Sequence, residues 1–359
     1  MMHEICERLG MTVPVVQAPM AGTSTVGMAA SVGKAGGLGS LAVGAVDAVA
    51  AERLIGELRG LTDRPFNVNV FSHRPARADA GRESAWCERL GPVFREFGGR
   101  PPEKLREVYT SFAVDEAKLA VLVQQRPAVV SFHFGLPPAE YIAALRGAGV
   151  MLWATATNLA EARAAEAAGV DAIVAQGYEA GGHRGVFDPD VRDDCLGTLA
   201  LVRVLVRGQR LPVIMAGGIM DGAGIAAAMS LGAVAAQLGT AFIACPESAA
   251  DAGYRAALAS EAAHHTVMTR VISGRPARCL NNKFTRLGEG VTQGEVPDYP
   301  IAYDAGKALN AAAKAAGETG YGAQWAGQGA PLSRAMGARE LVGVLAEEIR
   351  AAVSANSAR

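Results

Sequence analysis

The chain is expected to fold as an α/β protein, a (β/α)8 or TIM barrel carrying a smaller inserted cap domain. Two features predict this. Eight short apolar runs alternate with alanine-rich helical stretches, and polar residues and glycines collect after the runs. A strand covered on both faces reads as a continuous apolar run rather than an alternating one, as these do. The length of 359 residues exceeds a typical domain, but such barrels commonly run to about 250 residues or more as one unit.

The runs lie at 13–17, 38–42, 66–71, 129–134, 150–154, 172–176, 213–216 and 233–238. Helical stretches fall between them at 25–35, 47–59, 116–125, 138–147, 158–168, 196–207 and 221–231. Two regions break the repeat. Residues 72–111 carry charges, Pro101-Pro102 and a helix expected around 82–97, and so form an excursion after the third strand. Residues 261–307 are polar and turn-rich, with Asn281-Asn282-Lys283-Phe284 inside them, and read as the cap. The barrel then comprises 1–260 and 308–359, closing with helices near 302–315 and 337–352. The tail 354–359 is expected to fray. A doubly wound open sheet is the structural rival that periodicity leaves open.

Composition narrows the function. Hydrophobic residues make up 50% and charged residues 19%, enough for a sizeable core and too apolar for disorder. Net charge is −1 and no basic block occurs, which argues against nucleic acid as partner. Five scattered cysteines (Cys6, Cys87, Cys195, Cys245, Cys279) form no C-x-x-C pair. Neither zinc ligation nor thioredoxin chemistry is expected, and the set fits a reducing cytoplasm. The first ten residues lack the apolar core of a secretion signal. Residues 222–245 carry no charge and are long enough to cross a bilayer, but Gly222, Gly224, Gly232 and Gly239 break them up. A helix, a turn and a buried strand are expected there, and no membrane span.

The most informative stretch is Gln176-Gly177-Tyr178-Glu179-Ala180-Gly181-Gly182-His183-Arg184-Gly185. It places a histidine after two glycines whose missing Cβ atoms let backbone lie against a ligand. A solvated loop histidine is the bland alternative. In a barrel the strand C-termini form the active face. Those ends supply Gln17-Ala18-Pro19-Met20, Asn67-Val68-Asn69, His133-Phe134-Gly135, Ala216-Gly217-Gly218 and Gln237-Leu238-Gly239-Thr240. Loops after the seventh and eighth strands are the usual phosphate cradle, with helix N-termini behind them. Tight turns that simply need glycine are the alternative for Gly217-Gly218 and Gly239. Gly222-Ala223-Gly224-Ile225-Ala226-Ala227 matches a dinucleotide fingerprint but sits several residues beyond its strand, without an acidic partner, and reads as a helix with small packing residues.

Four stretches resemble the class I nitronate monooxygenases, formerly called 2-nitropropane dioxygenases, a family of FMN-containing barrel enzymes. They are Gln17-Ala18-Pro19-Met20-Ala21-Gly22, Phe66-Asn67-Val68-Asn69-Val70-Phe71, Ser131-Phe132-His133-Phe134-Gly135-Leu136-Pro137 and Glu179-Ala180-Gly181-Gly182-His183-Arg184-Gly185. Gln324-Trp325-Ala326-Gly327-Gln328 resembles the family too, so the likeness spans nearly the whole chain. It implies oxidation of alkyl nitronates, propionate 3-nitronate among them, by FMN and molecular oxygen without nicotinamide. It also implies that His183 is the catalytic histidine. Asn69, Gln176, Gly181, Gly218 and the segment Gln237, Leu238, Gly239, Thr240 are expected to contact FMN, with Pro19 and Met20 against its ring. The neighbouring Gly182 and Gly217 join the cofactor-binding set.

The chemistry of these residues agrees. A histidine at the mouth can donate a hydrogen bond to nitronate oxygens, or take an α-proton from a neutral nitroalkane. His133 has two readings, a satisfied structural histidine and a substrate contact. Tyr109, Tyr299, Tyr303 and Lys307 form a substrate-facing wall or are ordinary packing residues, and Lys307 suits a substrate carboxylate. His264-His265 lacks ligands at metal spacing, so no metal is expected. The rivals are an NAD(P)H:quinone or enoyl reductase on a related FMN barrel, and a non-catalytic flavin-binding scaffold.

Overall fold

A computed structural model describes residues 2–357. Eight parallel strands form the barrel: β1 (Val15–Gln17), β2 (Gly39–Ala42), β3 (Phe66–Phe71), β4 (Val129–His133), β5 (Met151–Ala156), β6 (Ala172–Gln176), β8 (Val213–Ala216) and β9 (Ala235–Leu238). Each pairs with its sequence neighbour in the barrel, and β9 pairs with β1. The ring is closed by a parallel bridge between Val16 and Leu38, where Leu38 N–H donates to Val15 and Gln17 N–H to Leu38. The open-sheet rival is thereby excluded. All eight expected strands form. β1 starts at Val15 rather than residue 13, just beyond Pro14, which has no N–H to give a ladder.

Alternation along each strand sorts its side chains into two layers. Val15, Val68, Leu152, Ile173, Val213 and Leu238 point outward into the core shared with the helices. Val16, Val129, Trp153, Val174, Ile214 and Ala235 fill the barrel interior. The N-terminal helix Glu4–Arg8 adds Ile5 and Cys6 to that interior cluster, so the chain start plugs the end opposite the site. Higher up, the inward positions turn polar: Asn69, Ser131, His133, Thr155, Gln176 and Gln237. The barrel's own two-residue period therefore concentrates polar groups at the strand C-termini.

Residues 222–245 form the helix Gly222–Ser230, strand β9 and the single turn Thr240–Ile243. Among the described residues no helix is long and apolar enough to cross a membrane. Gly222 is a packing glycine. A Cβ there would lie 2.3 Å from Cβ of Glu348 and 2.5 Å from N of Ile349 in the closing helix. That helix, Ala338–Ser357, runs through most of the tail expected to fray, while residues 358–359 lie outside the described residues.

The two irregular regions meet. Trp86, Leu90 and Phe94 of the excursion helix Ala80–Glu96 share a hydrophobic cluster with Ile272, Phe284, Leu309 and Tyr321. A small antiparallel sheet joins this unit to the barrel. It comprises β10 (Thr266–Thr269), β11 (Ala277–Leu280) and the two-residue β7 (Gly182–His183), with Ala277 opposite His183 and Arg278 opposite Gly182.

Candidate functional site

One cavity at the C-terminal end of the barrel gathers most of the residues singled out by sequence. Its walls include Pro19, Met20, Asn69, Tyr109, His133 and Gln176, the loop residues Gly181, Gly182 and His183, and Gly217, Gly218, Gln237, Gly239 and Thr240. Tyr299 and Tyr303 complete that side. Leu238 is absent from the lining, because strand parity sends its side chain into the outer core and its carbonyl already accepts from Ala18 N–H. Lys307 is absent too. Its ammonium lies 4.4 Å from the ring centre of Tyr109 and 5.2 Å from that of Tyr303, so it stands against the tyrosines. Burial lowers its proton affinity below that of a free lysine.

His183 sits on β7, fixed by backbone on both sides. Its carbonyl accepts from Gln176 Nε2 at 3.0 Å and from His133 Nε2 at 3.2 Å, and its strand partner is Ala277. A carbonyl can only accept, so His133 carries its proton on Nε2, and its Nδ1 accepts from the Thr155 hydroxyl at 3.0 Å. His133 is thus a satisfied histidine whose hydrogen bonds position His183, while its ring still lines the cavity. Gln176 is equally committed, since its Oε1 accepts from Gly185 N–H at 2.7 Å. The amide expected at a cofactor edge instead clasps the histidine loop from both ends.

The His183 ring is half-buried, opening to the cavity but otherwise enclosed. Trp325 (5.0 Å between ring centres), Tyr299 (5.3 Å) and Phe134 (5.7 Å) surround it, and Nε2 lies 2.8 Å from the Ser273 hydroxyl. Burial first, then the neighbouring His133, Arg275 and His73, push its pKa down to about 3. His183 is therefore neutral at neutral pH. Arg275 is 1% exposed, lies 4.3 Å from the Phe134 ring centre and has no carboxylate partner among the described residues. It keeps the neighbourhood electropositive although burial lowers its pKa to about 10.

Three histidines held neutral, His73 buried and His133 and His183 half-buried, make the fold acid-sensitive. His73 and His183 are held at about 3 and His133 at about 4, in each case chiefly by burial. The unfolded chain binds these protons at a pKa near 6.5, so it takes them up first as pH falls. Stability is then fully present above about pH 6.5 and is lost progressively towards pH 4. Unfolding free energy should fall by roughly 2–3 kcal/mol for each ring between pH 7 and 4.5, read as a lower urea midpoint. A flat profile over that range would contradict the burial of these rings.

Several groups remain free to meet a ligand. Among the described residues no hydrogen bond reaches the Gln237 side-chain amide, and Asn69 donates through Nδ2 to Ser131 (3.0 Å) while its Oδ1 stays open. Gly217 and Gly218 take φ of 122° and 72°, which exposes successive backbone groups without side chains. The helix beyond them starts at Gly222 and is already capped by Asp221, whose carboxylate accepts from Gly224 N–H at 2.8 Å. The helix after Gly239 is one turn long. Any anion here is held by loop N–H groups, and helix dipoles contribute little. The Thr240 hydroxyl accepts from Gly327 N–H at 3.0 Å and so ties down the loop 325–329 that closes this side.

Sequence reasoning missed Ser273 and Arg275, which approach His183 only because the insertion folds back on the barrel. It noted Trp325 as part of a motif without giving it a place in the site; the motif Gln324–Gln328 was the signal available.

Comparison with known proteins identifies relatives of nearly the whole chain. A sequence model described as nitronate monooxygenase matches residues 4–348. A nitronate monooxygenase of Paraburkholderia phytofirmans is 61% identical over 345 residues, covering 96% of this chain and 94% of the relative. One from Pseudomonas aeruginosa is 53% identical, covering 95% and 97%. The solved structure of a nitroalkane oxidase from Streptomyces ansochromogenes superimposes with a TM-score of 0.88 at 41% identity, covering 98% of this chain and 99% of that one. The chain therefore belongs to the nitronate monooxygenase family, and it is an enzyme with a small-molecule substrate.

Proposed function

We propose that this enzyme oxidises alkyl nitronates, propionate 3-nitronate among them, using FMN and molecular oxygen and no nicotinamide. The observation that carries the reading is His183: neutral, hydrogen-bonded to Ser273 and facing a cavity whose other free groups suit a flavin. The fit to FMN rests on the open Gln237 amide and Asn69 Oδ1, and on a cradle of glycines. A Cβ at Gly181 would lie 2.4 Å from Gly327 N, and one at Gly217 would lie 2.8 Å from Thr198 Oγ1. Pro19 and Met20 supply an apolar contact for the ring, and Gly217, Gly218, Gly239 and Thr240 the phosphate nest. When bound, FMN supplies one-electron oxidation and returns its electrons to oxygen.

The chain's own groups bind and orient the substrate. The single proton of the Ser273 hydroxyl decides the His183 tautomer. Two acceptors compete for it, His183 Nε2 at 2.8 Å and the Arg275 carbonyl at 3.3 Å; donated across the shorter contact, it leaves Nδ1–H to donate to a nitronate oxygen. Arg275, outside this cavity and stacked on Phe134, adds positive potential from behind that ring. A histidine with a pKa of about 3 is a weak base. We infer that preformed nitronates are turned over far faster than neutral nitroalkanes. Tyr109, Tyr299 and Tyr303 wall the substrate, with Lys307 setting the potential from behind Tyr109 and Tyr303. We propose further that residues 261–307 act as a cap with the excursion helix, and that the five unpaired cysteines suit a cytoplasmic enzyme.

The test is oxygen uptake by FMN-loaded protein given propionate 3-nitronate in air. Uptake without NAD(P)H is expected. If oxygen is not consumed, or if NADH rapidly bleaches the flavin under anaerobic conditions, the reductase alternative takes its place.

A further inference from the structure

A second cavity, of about 400 Å³, shares the Tyr299 wall with the first. The Tyr299 ring centre is 5.0 Å from that of His73, in the second cavity, and 5.3 Å from that of His183, in the first. Five arginines line the second cavity (Arg74, Arg77, Arg82, Arg270 and Arg275) against three aspartates, Asp79, Asp190 and Asp298, a surplus of two positive charges. Arg74 takes up two of the aspartates, bonding Asp298 at 2.6 Å and Asp190 at 2.9 Å. Asp79 faces Arg82 at 3.6 Å. Among the described residues Arg270 is satisfied only by the Pro189 carbonyl and Arg275 only by that of Val186, and no carboxylate bonds either.

Polar groups in the same wall also lack partners. His73 and Arg275 are each 1% exposed and Tyr299 5%. Both ring nitrogens of His73, Nε of Arg275 and the Tyr299 hydroxyl make no hydrogen bond. Groups so deeply buried are almost always satisfied, by protein or by something bound. The missing partner must be chiefly an acceptor, because an arginine N–H, a phenol O–H and the one N–H of a neutral imidazole are all donors. Water would satisfy the donors but leave the surplus charge unpaired. We propose that this cavity binds a small doubly charged oxyanion, of the phosphate or dicarboxylate kind. The site stands apart from the nitronate reading and survives a failed turnover assay.

Calorimetric titration of the full-length, flavin-loaded protein with inorganic phosphate and, separately, with succinate tests this. One saturable site is expected for at least one of the two, and which one identifies the source as phosphate or dicarboxylate. Arg77→Gln, at an exposed position whose guanidinium holds no partner among the described residues, and Arg270→Gln should each weaken binding about tenfold or more. Heat from neither anion, or affinity unchanged in both variants, would overturn the proposal. So would crystals grown in phosphate and in succinate that both show only water against His73 and Arg275.

Discussion

Replacing His183 by asparagine should lower nitronate turnover by about two orders of magnitude or more while leaving the flavin in place. The separation of the two effects follows from how the residue is held. Its main chain is fixed by the Gln176 amide, the His133 ring and pairing with Ala277, none of which involves the imidazole. Exchange of the side chain therefore leaves the loop, and the glycines beside it, where they were. What is lost is the ring between Trp325 and Tyr299, with its bond to Ser273. Asparagine is too short to span the same gap, so it cannot keep the Ser273 bond and also present a donor to the nitronate oxygen. The loss should fall on kcat as well as kcat/KM, because charge on the nitro group changes during reaction. Steady-state oxygen uptake together with the flavin absorbance of the purified variant reads both quantities. Wild-type rates with full flavin would show that another group handles the substrate.

Which features were legible in the sequence depended on how local they are. Each barrel strand is a run of apolar residues closed by a polar or glycine corner, and that pattern is complete within ten residues, so all eight are readable. Placement of Asn69, Gln176, His183 and Gln237 around one cavity followed from the barrel rule that strand C-termini share a face. The failures are all non-local. Leu238 and Gln237 look alike as neighbours of Gly239, and only strand parity sends one outward and the other into the cavity. Gln176 offered a free amide on paper, but the return of the chain at Gly185 occupies it. Ser273 lies ninety residues from His183 and is brought to it by the pairing of β7 with β11, a contact between a barrel loop and an insertion. Lys307 sits on a helix whose register against Tyr109 depends on that same packing.

Gly181→Ala should abolish flavin retention and turnover together, and destabilise the protein by about 1–3 kcal/mol. The position is a contact between two backbones with no side chain on either side. A methyl group at Gly181 would lie 2.4 Å from Gly327 N, 2.6 Å from Ala326 C and 2.9 Å from Ala326 Cα. Gly327 is just as confined, since its own Cβ would meet Glu179 O at 2.7 Å. No flexible side-chain end can yield, so one of the two segments must move. Both carry bonds that hold the site in register: Gly327 N–H to Thr240 Oγ1 at 3.0 Å, and Gln328 N–H to Glu179 O at 2.9 Å. Displacing them disturbs the Thr240 corner on one side and the loop leading to His183 on the other. Gly182→Ala is the informative contrast. There the backbone is left-handed, with φ at 75°, but the nearest atom to a new Cβ is Trp325 Cβ at an ordinary 3.9 Å. That variant should lose about 1–2 kcal/mol to backbone strain yet keep measurable flavin. Flavin-to-protein ratio and thermal midpoint, taken for both variants, give the comparison. Equal flavin content in the two would mean that the close approach of residues 181 and 327 does not shape the cofactor cradle.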